Sequence, residues 1–320
     1  METYSLWLEK KNKPVIKKNK ITYKSNNKTV LIKTLYSGVS KGTEKLVTEG
    51  KVDKDQYQLM QAPFQEGSFA FPIKYGYINI GQIIDGPKKY INKKTFCLFP
   101  HQSIFEMELN KLTILKNRNI KKYLLTANME TAINIFWDAQ AKKDEKIIIV
   151  GMGSIGILTA YYFQLQKYKN VYVSDNNKHK LKYSKLLNLK FINFEKVKNA
   201  DVIINTTSNY DILKRSFKLL NLDGKFIEAS WYGNKQTNIS LGGYFHSKRL
   251  KIISSQVSNI PKLMKRSYDY KKRLKIAIRA LSNNHLIKLI NNECDFEDIE
   301  KKYISILNDP NTIMHAIKYK

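Results

Sequence analysis

The sequence predicts an α/β protein in two parts, a β-rich first third and a doubly wound parallel sheet behind it. Three observations carry that expectation. Before Tyr123 the apolar residues come in short runs dense in Val, Ile and Phe, separated by Gly, Pro, Asn and Lys, with no long helical spacing. Beyond it strand-like runs alternate with helix-like runs of about 10 to 15 residues, as βαβ crossovers require. Within that alternation a glycine turn, Gly151–Gly156, joins a strand directly to a helix.

Each element follows from its pattern. Thr29–Thr34, Gly81–Ile84, Thr95–Phe99 and Ile104–Leu109 read as the strands of the first part. Leu124–Ala139 carries apolar residues at helical spacing (Leu124, Ala127, Ile135, Ala139) and leads into the second. There, strands are expected at Lys146–Val150, Asn170–Ser174, Asp201–Asn205, Gly224–Ser230 and Leu250–Ser255. Helices are expected at Ser154–Gln166, Lys178–Asn188 and Tyr210–Leu220. The tail predicts an amphipathic helix near Lys271–Asn283, then Asp298–Leu307 and the apolar Thr312–Ile317.

The glycine turn carries chemistry. In Gly151-Met152-Gly153-Ser154-Ile155-Gly156 the first glycine permits a tight turn, and the second lets backbone approach a pyrophosphate. The third lets helix and strand pack closely, and the helix start at Ser154 and Ile155 offers unpaired N–H donors to phosphate. Asp175 follows Gly156 by 19 residues at a strand end, where a carboxylate accepts the ribose hydroxyls. The turn therefore predicts dinucleotide binding. An Asp there repels a 2′-phosphate, which favours NAD and leaves NADP as the alternative. Lys178 and Lys180 soften that repulsion in one reading and are solvated helix charges in the favoured one.

Composition bounds the rest. Hydrophobic residues at 42% and aromatics at 12% indicate a packed globular chain. No stretch approaches the roughly 18 to 20 apolar residues that a membrane helix needs, and no export signal is expected at Met1–Pro14. Cys97 and Cys294 are too few for a disulfide framework, which suits a cytoplasmic setting. The net charge of +29 comes from 50 Lys and 6 Arg, scattered through every segment alongside 29 Asn. Nucleic-acid readers lean on Arg and gather charge on one face. The pattern argues for compositional drift and against a nucleic-acid partner.

Segments spanning nearly the whole chain carry a family likeness: Ser37–Glu44, Ala62–Gly67, Lys74–Tyr77, Phe96–Gln102, Glu130–Ala132, Trp231–Gly233, Phe245–Leu250 and Ser254–Val257. With these the chain resembles the medium-chain dehydrogenase/reductase superfamily, and within it the bacteriochlorophyllide a dehydrogenase-like branch. The resemblance implies a GroES-like catalytic domain over residues 1–123, an NAD-binding Rossmann domain over 124–258, and a segment 259–320 returning to the first. It allows a homodimer. It also says where a catalytic zinc would sit, and this chain departs from that pattern. Ser40 stands where a Cys ligand is expected, Tyr77-Ile78 where a His-Glu pair is expected, and Ala127 at the third ligand position. These are not zinc ligands, so no zinc is expected.

Without a metal, a hydrogen-bond donor or general acid must polarise the reacting oxygen. Tyr77 is the candidate, with Ser40 and Thr43 beside it and Lys41 lowering its pKa electrostatically. The competing reading makes Tyr77 a packed aromatic and Lys41 a surface charge. His101, after the Phe99-Pro100 strand end, is expected to border the substrate pocket with Phe99. Glu130 and His246 are further pocket candidates, although helix-dipole complementation and packing are the favoured readings for them. Ser230 and Gln256 end strands at the edge where nicotinamide would lie. Trp231, with Phe64, Phe69 and Phe71, offers a wall for a flat ring, or else ordinary core. Cys97 and Cys294 read as buried small hydrophobes.

The leading expectation is a zinc-independent NAD(P)-dependent enzyme interconverting a secondary alcohol and a ketone on the side chain of a ring substrate, chlorin-like or another heteroaromatic. The alternatives are zinc-free enone or quinone reduction and, from a different class, a basic nucleic-acid-binding or NAD-sensing protein on the same scaffold.

Overall fold

The computed structural model describes residues 1–116 and 119–320. The chain forms two compact units, one of residues 1–127 with 290–320 and one of residues 128–289.

The first unit opens on a hairpin, β1 (Glu2–Lys10) and β2 (Lys13–Lys20), that the sequence reading passed over. β1 is paired along its length with β2 and joins two short strands, β4 (Glu66–Gly67) and β5 (Ile73–Lys74). The larger sheet is centred on β3 (Thr29–Val39), which is longer than its apolar run suggests and delivers Ser40 to helix α1 (Lys41–Thr48). β3 pairs antiparallel with β6 (Asn79–Asp85) and β8 (Ile104–Glu108), and β6 continues to β7 (Lys94–Cys97) and β9 (Leu112–Ile114). Val30, Ile32, Ile83, Cys97, Phe99, Phe105, Met107 and Leu112 form its core.

The second unit is a single parallel sheet. Helix α2 (Thr126–Ala139) precedes β10 (Ile147–Val150), whose four residues are all buried because parallel strands are covered on both faces. Next come α3 (Ser154–Leu165), β11 (Val171–Ser174), α4 (Leu181–Leu186), β12 (Lys190–Phe191), β13 (Ala200–Asn205), α5 (Tyr210–Leu219), β14 (Leu220–Glu228), α6 (Tyr244–Ser247), β15 (Lys251–Ser254) and α7 (Tyr270–Ala280). The strand order is β12-β11-β10-β13-β14-β15. That is the doubly wound dinucleotide-binding order, with its topological switch point between β10 and β13.

Two boundaries differ from expectation. The return to the first unit starts at Ile290 rather than residue 259, because α7 packs into the nucleotide unit through buried Arg273, Ala277 and Ala280. The first unit then gains β16 (Ile290–Asp295), α8 (Ile299–Asn308) and β17 (Met314–Lys318), β17 pairing with β3. The helix expected over Lys178–Asn188 begins as a single 3₁₀ turn, Lys178–Lys180, capped by the Asn177 side chain. Among the described residues no helix is long and apolar enough to cross a membrane.

Candidate active site

In the nucleotide unit the glycines divide their labour as expected. Gly151 has φ +102°, and a Cβ there would lie 2.5 Å from Thr206 Oγ1. A Cβ on Gly156 would lie 1.8 Å from the Gly151 carbonyl oxygen, so helix and turn touch backbone to backbone. Gly153 is different. It caps α3 with ordinary backbone angles, and a Cβ there would meet nothing within 4 Å. Open space therefore lies at Gly153 beside the start of α3, where N–H donors and the helix dipole favour an anion. Ser154 and Ile155 are half-buried at its rim, and the Ser154 hydroxyl accepts from Asn128 Nδ2 at 3.1 Å.

Asp175 closes the turn from the end of β11. Its Oδ2 accepts from the Met152 amide at 2.6 Å and its Oδ1 from the Asn177 amide at 2.8 Å. Lys180 Nζ donates to Oδ2 at 3.2 Å and is only 15% exposed, so it is a partner of the acid rather than a solvated helix charge. Lys178 is exposed.

The carboxyl edge of β13 and β14, where Ser230 was expected, holds a polar cluster whose Asn205 and Glu228 the sequence reading missed. Asn205 Nδ2 donates to Glu228 Oε2 at 2.9 Å, and the Tyr232 hydroxyl donates to the same oxygen at 3.0 Å. Burial pushes the Glu228 carboxyl up, against the hydrogen bonds of Asn205, Ser230 and Tyr232. Ser230 belongs to this cluster, accepting from the Ser208 amide at 2.9 Å. Trp231 is half-buried beside it. Gln256 spends its side chain on its own turn, accepting from the Ser258 amide at 2.7 Å.

Two pocket candidates in this unit are placed otherwise. Glu130 lies within α2 and is 4% exposed. Its carboxylate pairs with Arg273 Nε at 3.2 Å, and Arg273 Nη1 reaches Asn134 Oδ1 at 2.7 Å. Burial raises its pKa to about 7, with Arg273 acting against the shift. Glu130 is thus a buried strut between α2 and α7, neither a substrate ligand nor a dipole partner. His246 is exposed on the four-residue helix α6.

In the first unit the residues at the expected metal position make a hydroxyl cluster. The half-buried Tyr77 hydroxyl hydrogen-bonds the side chains of Ser40 and Thr43. Burial raises its pKa to about 12, against those two bonds and with the Glu44 charge adding to the rise. The expected lowering by Lys41 does not occur: Lys41 Nζ donates to the Asp309 carbonyl at 2.5 Å instead.

His101 is a buried structural residue. It is 0% exposed, with Nε2 at 3.0 Å from Glu44 Oε2 and Nδ1 at 2.8 Å from Ser37 Oγ. Its ring lies so close to Gly76 that a Cβ there would come within 2.8 Å of it. Sequence reading found His101 but missed its contacts with Ser37, Glu44 and Tyr303, and the bond from Ser37 on to Tyr319. Phe99 is 6% exposed and stacks on Phe105 at 3.8 Å, a core contact and not a pocket wall. Phe69 is buried between Tyr57 and Tyr75, and Phe64 tilts against Phe99. These are packing roles, and Phe71 lies against Gly50. Burial pushes the Cys97 thiol up to about 12 and the Cys294 thiol up to about 11.

No protein-family model and no curated protein matches the sequence. Solved structures do match. The chain is similar to a short chain alcohol dehydrogenase from Escherichia coli CFT073 complexed with cofactor NADH, at 15% identity over 99% of both chains with a TM-score of 0.76. It is similar to L-idonate 5-dehydrogenase from Escherichia coli, at 13% identity over 99% of this chain and 98% of that one, TM-score 0.79. It is also similar to benzyl alcohol dehydrogenase from Acinetobacter calcoaceticus, at 13% identity over 100% of both chains, TM-score 0.74. What is shared at these identities is the fold, and the chain has the medium-chain dehydrogenase fold, a GroES-like β-rich unit with a Rossmann unit.

Proposed function

We propose that this chain is an NAD(P)-dependent oxidoreductase that interconverts a carbonyl and an alcohol, with its site suited to reduction. The observation that carries the reading is the open space at Gly153, at the N-terminus of α3, beside a turn whose Met152 amide is held by the Asp175 carboxylate. The turn residues Gly151, Gly153, Ser154, Ile155 and Gly156 would hold the pyrophosphate, and Asp175 the ribose. NAD fits this donor set; Lys180 beside Asp175 is the reason to test NADP alongside.

When bound, the reduced dinucleotide supplies the hydride. The chain must then polarise the carbonyl oxygen and deliver a proton to it. A Tyr77 hydroxyl with a pKa near 12 keeps its proton at neutral pH, so it donates a hydrogen bond to that oxygen. Ser40 and Thr43 orient the hydroxyl from the other side. Zinc does not fit here: Ser40 and Tyr77 present neutral hydroxyls bonded to one another, and Ala127 has no donor atom.

The finer reading, a ketone or hydroxyalkyl group on a flat ring such as a chlorin, is supported by the likeness of sequence segments alone. A homodimer and a cytoplasmic setting belong to the same proposal, the latter supported by Cys97 and Cys294 being free thiols.

The test is dinucleotide binding by fluorescence, followed by NADH- and NADPH-dependent reduction of a panel of aryl ketones. Asp175→Ala should weaken NADH by about 10-fold or more, as loss of a charged hydrogen-bond acceptor predicts. Tyr77→Phe should lower ketone reduction by about 10²-fold. Undiminished ketone turnover in Tyr77→Phe would remove Tyr77 as the proton donor; dinucleotide-dependent turnover of enones or quinones in place of ketones, with the proton taken from water, would favour the alternative. If neither dinucleotide binds at millimolar concentration, the reading fails.

A further inference from the structure

Ser40 sits at the N-cap of α1, yet its side chain makes no capping bond. Ser is among the preferred N-caps because its oxygen accepts from the next turn of amides. Here that oxygen is turned to the Tyr77 hydroxyl. The local backbone is secured another way. The Glu44 side chain reaches back and accepts from the Ser40 amide through Oε1 at 2.7 Å, while the Glu44 amide donates to the Ser40 carbonyl at 3.0 Å. This resembles half of a capping box displaced by one residue.

Glu44 is itself held from two further segments. Its Oε2 accepts from the Tyr303 hydroxyl of α8 at 2.6 Å and contacts His101 Nε2 at 3.0 Å, all three side chains being buried. With the His101 proton on Nε2, Ser37 donates to Nδ1, and Tyr319 donates to Ser37 at 3.0 Å. That assignment satisfies every donor in the chain from Tyr319 to Glu44. A carboxylate buried at this depth is costly unless every lone pair is engaged. The arrangement leaves it almost immovable, with one oxygen fixed on Ser40.

We propose that Glu44 is a positioning residue for the Tyr77 hydroxyl, acting through Ser40. Clamped by Tyr303 and His101, it holds the Ser40 backbone so that the Ser40 hydroxyl serves Tyr77 rather than the helix end. The catalytic consequence rests on the reading of Tyr77 as proton donor; the hydrogen-bond geometry does not.

The test reads that geometry directly. In protein labelled with ¹³Cζ-tyrosine, the Tyr77 resonance is identified by its loss in Tyr77→Phe. Ser40→Ala should displace it. Glu44→Ala should displace it to the same position, and the double variant should go no further. Glu44→Gln keeps an oxygen within reach of the Ser40 amide and should restore the wild-type position. If Glu44→Ala does not fold, Glu44→Asp is read in its place, since its shorter side chain keeps the charge but withdraws the acceptor. A Tyr77 resonance at the wild-type position in the folded Glu44→Ala or Glu44→Asp variant overturns the proposal. In turnover, the displaced variant should lose kcat by up to about 10²-fold with KM unchanged. If the resonance moves but Tyr77→Phe itself turns over ketones normally, the positioning stands and the proton-donor reading fails.

Discussion

His101 Nε2 lies 3.0 Å from Glu44 Oε2, and neither side chain has any solvent exposure. A histidine after a strand end is a natural pocket candidate, but one with both nitrogens engaged inside the fold has nothing left to offer a ligand. His101→Leu should therefore act on stability. It strips one partner from Glu44 and one from Ser37, each orphaned group costing about 1–3 kcal/mol. Urea unfolding should show that loss. NADH affinity, set by the nucleotide unit, should stay as it is; a large loss of NADH binding would assign His101 a different role.

The three glycines of the turn should separate in one experiment. Gly156→Ala drives a methyl into the Gly151 carbonyl and should cost about 1–3 kcal/mol or more, lowering the melting temperature by several degrees. Gly153→Ala has room and an unstrained φ of −79°, so its melting temperature should match the wild type. Its methyl occupies the open space instead, and NADH affinity should drop by about 10-fold, or 1.4 kcal/mol. Wild-type NADH affinity in a folded Gly153→Ala variant would remove the pyrophosphate from that place.

The Tyr77 hydroxyl, with its pKa raised to about 12, stays protonated across the neutral range. Ketone reduction should therefore show no ionisation from Tyr77 between pH 6 and 9. Alcohol oxidation, which needs an acceptor for the proton, should rise with pH throughout that interval. A kcat/KM for reduction that falls above pH 7 and loses this fall in Tyr77→Phe would contradict the assignment.

His315 gives a stability prediction with a definite sign. Burial lowers its pKa from 6.5 to about 4, against the attraction of Glu293. The unfolded chain then binds a proton that the folded chain refuses. The contribution to stability is complete above pH 6.5 and is lost as pH falls toward 4, amounting to about 2 kcal/mol between pH 7 and pH 5. His315→Gln should lose about that much less on acidification, as measured by urea unfolding at the two pH values. An unchanged difference between them would show that His315 does not titrate in this way.

Much of the nucleotide unit was legible in the amino-acid order because its determinants are local. The run Ile147–Val150, the glycines after it and the Asp at the next strand end lie within thirty residues, and each imposes a backbone or packing requirement on its neighbours. The parallel-sheet alternation is local in the same sense. The hairpin Glu2–Lys20 went unread because β2 is rich in Lys and little buried, while β1 buries the polar Thr3 and Ser5 along with Leu6 and Leu8, so apolar residues do not mark its inner face. The tail was mis-apportioned because α7 is amphipathic wherever it docks, and contacts far apart in sequence, such as Arg273 with Glu130 and Asn134, fix the unit it joins.

By itself, then, the sequence determined the two-part α/β fold and the strand–glycine turn–helix unit with the acid that follows it. The tertiary structure decided what the hydroxyls of Ser40, Thr43 and Tyr77 and their neighbours do. It turned Lys41 away from Tyr77, raised the Tyr77 pKa by burial, and closed His101 and Glu44 into a buried network with Tyr303. The physical reason is that a titratable side chain's role depends on its desolvation and its partners. Those partners lie 57 and 259 residues from Glu44 in the sequence, where no spacing rule connects them.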